Sequence, residues 1–307
     1  MMTVFNIKDI PPHLHQYFEP ASEIGLEGTP DEYVANMVEV FREVRRVLRD
    51  DGVCWLNLGD SYSSGSSSDR QRHWDGRDKN LKAQPSRLTS DRTGLKPKDL
   101  VGIPWRVAFA LQADGWWLRQ DVIWSKGNPM PEPVTDRCTR SHEYLFMLTK
   151  RERYFYDADA IREGAVQPDR VRFDQIGGLK GTEVQHSPGG MFDGSATRNR
   201  RSVWGVNPRP YDGAHFAVMP PMLVEPCILA GSREGDTVLD PFGGSGTVGM
   251  VARWLKRDAV LCELNPEYVK LIEERVEMER TETGGARRVE PTVGGGASLD
   301  LLGEFSK

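Results

Sequence analysis

Asp240-Pro241-Phe242-Gly243-Gly244-Ser245-Gly246-Thr247 is the stretch of this 307-residue chain best suited to chemistry. It lies between a predicted strand, Thr237 to Asp240, and a predicted helix, Gly246 to Leu255. Glycines there let the backbone come close to a ligand, and a helix N-terminus offers free N–H groups to an anion. The next predicted strand, Ala259 to Glu263, ends in a carboxylate 23 residues after Asp240. A carboxylate at that place can accept both hydroxyls of a ribose. Together these residues describe a pocket for an adenosine-type nucleotide. Gly244, Gly246 and Gly249 also satisfy the G-x-G-x-x-G pattern of dinucleotide sites. Yet Asp240 at the strand end repels a pyrophosphate and attracts a cation, and only one strand–helix–strand unit follows the loop. S-adenosylmethionine, with its sulfonium and ammonium groups, fits these charges best. A nicotinamide dinucleotide and an ordinary glycine turn are the alternatives.

The elements that must hold this pocket follow from periodicity and punctuation. Thr3 to Ile7 reads as a short strand. Thr29-Pro30-Asp31-Glu32 opens a helix by a capping box, with Val34, Val38, Phe41, Val44 and Leu48 along one face. Val53 to Leu58 reads as a buried strand ending at Gly59-Asp60. A helix over Pro104 to Ala113 places Trp105 and Phe109 together, and strands follow at Leu118 to Trp124 and Glu143 to Thr149. Pro220 to Ala230 predicts a helix stopped by Gly231, and Asn265-Pro266 starts a last helix running to about Arg280. The Trp116-Trp117 pair is expected in the core. Between these elements, residues 61 to 98 form a Ser/Gly-rich and then basic loop, expected to be mobile, with nine Lys or Arg against three Asp from Arg70 to Lys98. Residues 160 to 214 lack periodicity and carry the basic patch Arg198-Asn199-Arg200-Arg201, whose three arginines are candidate DNA contacts.

On these residues the chain resembles the amino-group DNA methyltransferases, which act on the N4 amine of cytosine or the N6 amine of adenine. The order of its parts is similar to the circularly permuted class found in phages and restriction systems. Asp240 to Thr247 resembles that family's cofactor motif, and Glu263-Leu264-Asn265-Pro266 its ribose-binding segment. His215-Phe216-Ala217, followed by Pro220-Pro221, resembles the motif that cradles the methionine end of the cofactor. Leu56 to Tyr62 and Ser141 to Phe146 match further segments, in which Asp60 and Tyr62 either line the site or close a strand and turn. The resemblance implies an α/β fold: a Rossmann-like, doubly wound, mostly parallel sheet with one antiparallel hairpin strand near Glu143 to Thr149. It implies one methyltransferase domain over residues 1–280, with a target-recognition region at 160–214 and the cofactor at the carboxyl ends of the strands. It implies direct methyl transfer from S-adenosylmethionine to an exocyclic amine in double-stranded DNA, with no covalent enzyme intermediate.

In that family a polar residue, Pro-Pro and an aromatic hold the flipped base, so that the amine finds hydrogen-bond acceptors as it becomes tetrahedral. Here Ile10-Pro11-Pro12-His13 stands at that place, so Pro11, Pro12 and His13 are the candidate catalytic residues. The proline pair is kept, Ile10 replaces the acceptor, and His13 replaces the aromatic. A degenerate enzyme, a shifted reading start and a rewired site are the three readings. A cofactor- or DNA-binding relative without catalysis is the rival function, and an RNA or protein methyltransferase is a second one.

Formal net charge is −5, so no global positive field draws in nucleic acid and the binding charge must be local. Cys54, Cys138, Cys227 and Cys262 are far apart. They are read as buried free thiols, with no metal site and no disulfide framework. No signal peptide and no membrane-spanning run is found, which leads to the expectation of a cytoplasmic protein. Residues 281–307 are expected to be disordered, with Ser298-Leu299-Asp300-Leu301-Leu302 loosely similar to sliding-clamp-binding peptides. A homodimer and a weak clamp contact are further expectations.

Overall fold

A computed structural model describes residues 2–6, 24–65, 89–164, 197–208, 218–280 and 286–287. Pro11, Pro12, His13, His215 and Phe216 lie outside the described residues, as do most of the basic stretch after Arg70 and nearly all of the tail.

Among the described residues, two larger hydrogen-bonded sheets form the framework, beside two short two-stranded ladders. Strands β1 (Met2–Asn6), β6 (Thr237–Asp240) and β7 (Asp258–Glu263) form a parallel three-stranded sheet with β7 in the centre. Strands β2 (Val53–Leu58), β3 (Trp117–Ser125), β4 (His142–Thr149) and β5 (Val203–Gly205) form the other, in the order β2-β4-β3-β5. The α/β class and the mixed sheet agree with expectation. The antiparallel strand is β4, and it lies between β2 and β3, antiparallel to both.

Helix α1 (Pro30–Val47) starts where its capping box predicts: the Thr29 hydroxyl accepts from Glu32 N, and the Glu32 carboxylate accepts from Thr29 N. Acidic residues in its first turn and Arg45 and Arg46 in its last suit the helix dipole. Met37 and Phe41 bury its inner face against Trp116, Leu148 and helix α2 (Ile103–Ala113). On α2 the buried face is Pro104, Val107, Ala108 and Leu111, whereas Phe109 is half exposed. Trp105 stands at the margin, its ring edge-on to Tyr144 and Phe146. The tryptophan pair divides: Trp116 is 2% exposed, but Trp117 is 43% exposed because it begins β3 and side chains alternate along a strand.

Helix α3 (Pro221–Gly231) joins the two sheets. Its Leu223 and Cys227 pack with Val122, Trp124 and Leu145 of the four-stranded sheet. Its Val224 and Ile228 pack with Ala259 and with Met250 and Val251 of helix α4 (Thr247–Trp254). Helix α5 (Pro266–Val276) is capped by Asn265, whose side chain accepts from Glu267 N, and it buries Ile272 and Val276 on Leu261. Met278 follows the helix, its carbonyl accepting from Trp254 Nε1, so α5 stops short of the expected Arg280. Ion pairs Arg233–Asp51 and Arg49–Asp236 join the starts of β2 and β6. The carboxyl ends of both strands therefore lie at the opposite side, where Asp60 and Asp240 stand.

Candidate functional site

The loop after β6 folds back on β7. Gly243 N donates to Cys262 O at 2.7 Å, and a Cβ on Gly243 would lie 3.1 Å from that carbonyl. Gly246 has φ +80°, and a Cβ there would lie 3.1 Å from Ile272 Cα. These two glycines are therefore needed for packing of the loop against β7 and α5. Gly244, at φ +51°, has more room: a Cβ there would meet only Phe242 O, at 3.7 Å. Ser245 is held by its hydroxyl to Arg275, and Thr247, first in α4, is buried.

Glu263 holds the loop from the neighbouring strand. Its Oε2 accepts from Gly244 N and its Oε1 from Asn265 N, both at 2.7 Å. Each carboxylate oxygen keeps a further lone pair, so hydroxyl donors still find acceptors there. The N–H groups of the loop residues Gly243, Gly244 and Gly246 have protein acceptors, so the backbone before the helix does not offer these three to a ligand. With Asp240 beside them, the arrangement suits a cation and not a pyrophosphate.

Asp240 Oδ1 accepts from Phe242 N at 3.0 Å. Burial pushes the Asp240 carboxyl up to about 6, and nearby Glu263 adds to the rise against the Phe242 N–H. Among the described residues neither acid is paired with a cation, which is what a sulfonium or ammonium group supplies. The exposed side chains of Phe242 and Leu264 flank the acids with apolar surface. The residues present thus fit S-adenosylmethionine: acid for its charged end, carboxylate for its ribose, apolar walls for its base.

At the end of β2, Asp60 has a structural task that its motif did not reveal. Its Oδ1 accepts from Ser61 N, Gly102 N and Ile103 N at 2.9 to 3.0 Å. Gly102, the residue before α2, has φ +77° and no side chain to cap the helix, so Asp60 caps it from another strand. Arg140 reaches the same carboxylate at 3.5 Å and also donates to the Asp60 carbonyl. Tyr62 lies under the Arg137 guanidinium, 4.1 Å from ring centroid to Cζ. Replacing Asp60 by Ala leaves three backbone donors without their acceptor. At about 1–3 kcal/mol for each stranded buried donor, less what water restores, a loss of roughly 2–4 kcal/mol is expected in urea unfolding. Asp60→Asn, which keeps an acceptor, should lose about half as much.

The arginine patch is engaged within the protein. Arg198 and Arg201 both donate to Glu163 Oε1, at 2.9 and 2.6 Å. Burial works against ionisation of Glu163, but these hydrogen bonds hold its carboxyl below the usual range. Arg200 lies over the Trp204 ring at 4.7 Å. Arg201 stays 65% exposed and Arg198 34%, so Arg201 has the freer guanidinium. The cysteines are free, but Cys138 is exposed, contrary to the uniform burial expected of them. Burial pushes the Cys54 thiol up to about 12 and raises that of Cys227, so neither is a nucleophile at neutral pH.

A profile of the DNA methylase family matches residues 6–274. The chain belongs to the DNA methylase family. It is an S-adenosylmethionine-dependent DNA methyltransferase of the amino-group kind, with its cofactor half following its other half in chain order. Among its relatives, this methylase is 49% identical over 256 residues to type II methyltransferase M.XycI of Xanthomonas campestris pv. cyanopsidis, covering 83% of this chain and 75% of that protein. It is 48% identical over 260 residues to M.Cfr9I of Citrobacter freundii, covering 84% and 76%. It is 47% identical over 254 residues to M.SmaI of Serratia marcescens, covering 83% and 77%. In fold it is similar to the cytosine-N4-specific PvuII DNA methyltransferase, at a TM-score of 0.54 and 18% identity over 89% of this chain and 77% of that one.

Proposed function

We propose that this chain is the modification enzyme of a type II restriction–modification pair, methylating an exocyclic amine at a short recurring sequence in duplex DNA. The type II designation of its relatives supports this reading. The observation that carries the site assignment is the pair Asp240 and Glu263, two neighbouring acids with no cationic partner among the described residues, beside exposed Phe242 and Leu264. When bound, S-adenosylmethionine supplies an electrophilic methyl group on a sulfonium.

The chain's own part is to bind and orient. Asp240 holds the cationic end, Glu263 the ribose hydroxyls, and the Pro241–Thr247 loop gives the close backbone approach, with Leu264 beside it. His215 and Phe216 hold the methionine end, as the resemblance implies. At the base, a carbonyl of the proline pair Pro11-Pro12 accepts an amine hydrogen, and His13 stands where an aromatic would stack. Ile10 offers no acceptor, so we expect slow turnover. That same substitution favours a second reading, a relative that binds cofactor and DNA without catalysis. Radiolabelled methyl transfer to duplex DNA separates the two.

The proposed DNA contacts are Arg198, Arg200 and Arg201. Because Arg198 and Arg201 share Glu163, their effects should differ from those of free surface cations. Arg201→Ala should lower the slope of log affinity against log salt by about 1, the size of one phosphate contact. Arg198→Ala should also loosen the two-stranded ladder of Glu163–Gly164 with Thr197–Arg198. Fluorescence anisotropy across a salt series measures both, and an unchanged slope for Arg201→Ala would place the patch away from DNA. A homodimer, a cytoplasmic location and a weak clamp contact through residues 298–302 are further proposals. On the membrane question, no helix among the described residues is long and apolar enough to cross a bilayer.

A further inference from the structure

The segment from Lys126 to Ser141 joins β3 to β4 at the end of the sheet where β2 runs out, just before Asp60. Its root and its far arm are both tied down. Lys126 N donates to Ser141 O at 2.7 Å, and Gly127 N to Asn207 Oδ1 at 2.9 Å. Glu132 accepts from Arg137 at 2.6 Å and from Arg140 N at 3.4 Å. Asp136 pairs with Lys98 at 2.5 Å, and Arg140 returns to Asp60. Between these anchors stands Pro129-Met130-Pro131, and Met130 is 85% exposed, more than any other large apolar side chain among the described residues.

This exposure follows from the local chemistry. A residue before proline is kept out of the helical region, so Met130 is held extended, and the anchors on either side stop the loop from folding it back. The result is an apolar probe carried on a tied loop, whose basal cations Lys126, Arg137 and Arg140 are paired with Glu143, Glu132 and Asp60. An amine inside a duplex cannot be reached by a methyl donor, so the base must leave the stack. Apolar side chains, methionine among them, open base steps by entering between them, while cations hold the phosphates.

We propose that Met130 is the wedge that enters the base stack of the DNA substrate beside the target base. This rests on the reading that the chain methylates duplex DNA. The side chain's task is to unstack, so its loss should spare binding and impair base opening.

The test uses the full chain and Met130→Ala, with Met130→Leu as the conservative variant. Random-sequence duplexes retained by each protein are treated with permanganate, which oxidises unstacked thymines and needs no methyl transfer. The unaltered chain and Met130→Leu should raise thymine reactivity at bound sites, and Met130→Ala should remove most of that rise while duplex affinity stays within about threefold, since phosphate contacts dominate it. Methyl transfer by Met130→Ala should fall about 30-fold on paired duplexes and recover on duplexes with a mismatched target, where unpairing costs less. Equal reactivity in Met130→Ala and the unaltered chain, or an equal loss on paired and mismatched duplexes, would overturn the wedge. Failure of the unaltered chain to retain any duplex would instead overturn the DNA reading beneath it.

Discussion

Asp240→Ala should weaken binding of S-adenosylmethionine by about 2–4 kcal/mol, roughly 30- to 1,000-fold, as expected when one partner of a sheltered charge pair is removed. The carboxyl sits where burial and Glu263 have already pushed it up to about 6, so in the free protein it bears its charge at a cost. A cationic ligand reverses that cost by holding the carboxylate ionised. The pH dependence follows with a definite sign. Affinity should be level above about pH 7 and fall as pH drops through 6, because the proton then competes with the ligand. The stability of the free protein should respond in the opposite direction. A carboxyl whose folded pKa lies above its unfolded value of 3.8 contributes stability as pH falls from about 6 toward that value. Titration calorimetry at several pH values, set beside urea unfolding over the same range, reads both trends. Affinity independent of pH and unchanged in Asp240→Ala would place the cofactor elsewhere.

Ile10→Ser together with His13→Tyr should raise methyl transfer by on the order of 100-fold, the usual weight of one well-placed hydrogen-bonding group on developing charge. The serine restores an acceptor for the amine as its nitrogen becomes tetrahedral, and the tyrosine restores a ring to stack on the base. Both changes leave the cofactor acids Asp240 and Glu263 in place, so cofactor affinity should stay within about threefold while turnover rises, the split expected of a transition-state interaction. A double variant no faster than the unaltered chain would mean that the register around Pro11 and Pro12 differs from that of the family.

Much of the fold could be read from the sequence because its signals are local. The Thr29 capping box, the Asn265 cap and the strand ending at Glu263 each depend on residues a few positions apart. The loop glycines could be read too, although their division of labour could not. Gly243 and Gly246 are fixed by contacts to Cys262 and Ile272, which only the packing of β7 and α5 brings near. The same limit explains the other differences. Asp60 caps a helix 42 residues further on, and Arg198 and Arg201 meet Glu163 across 35 and 38 residues. A basic run therefore reads as a free surface until the fold supplies its acid. A strand–glycine–helix pattern likewise does not say that Glu263 will turn back onto Gly244.

The most direct test of the central claim is to sequence, by a single-molecule method that detects base methylation, the DNA of a methylation-deficient host expressing this chain, its Asp240→Ala variant or its Ile10→Ser/His13→Tyr variant. The account predicts methylated exocyclic amines at one short recurring sequence, partial with the unaltered chain, near complete with the double variant and absent with Asp240→Ala. Unmodified DNA from hosts in which both the unaltered chain and the double variant are folded and bind S-adenosylmethionine would contradict it.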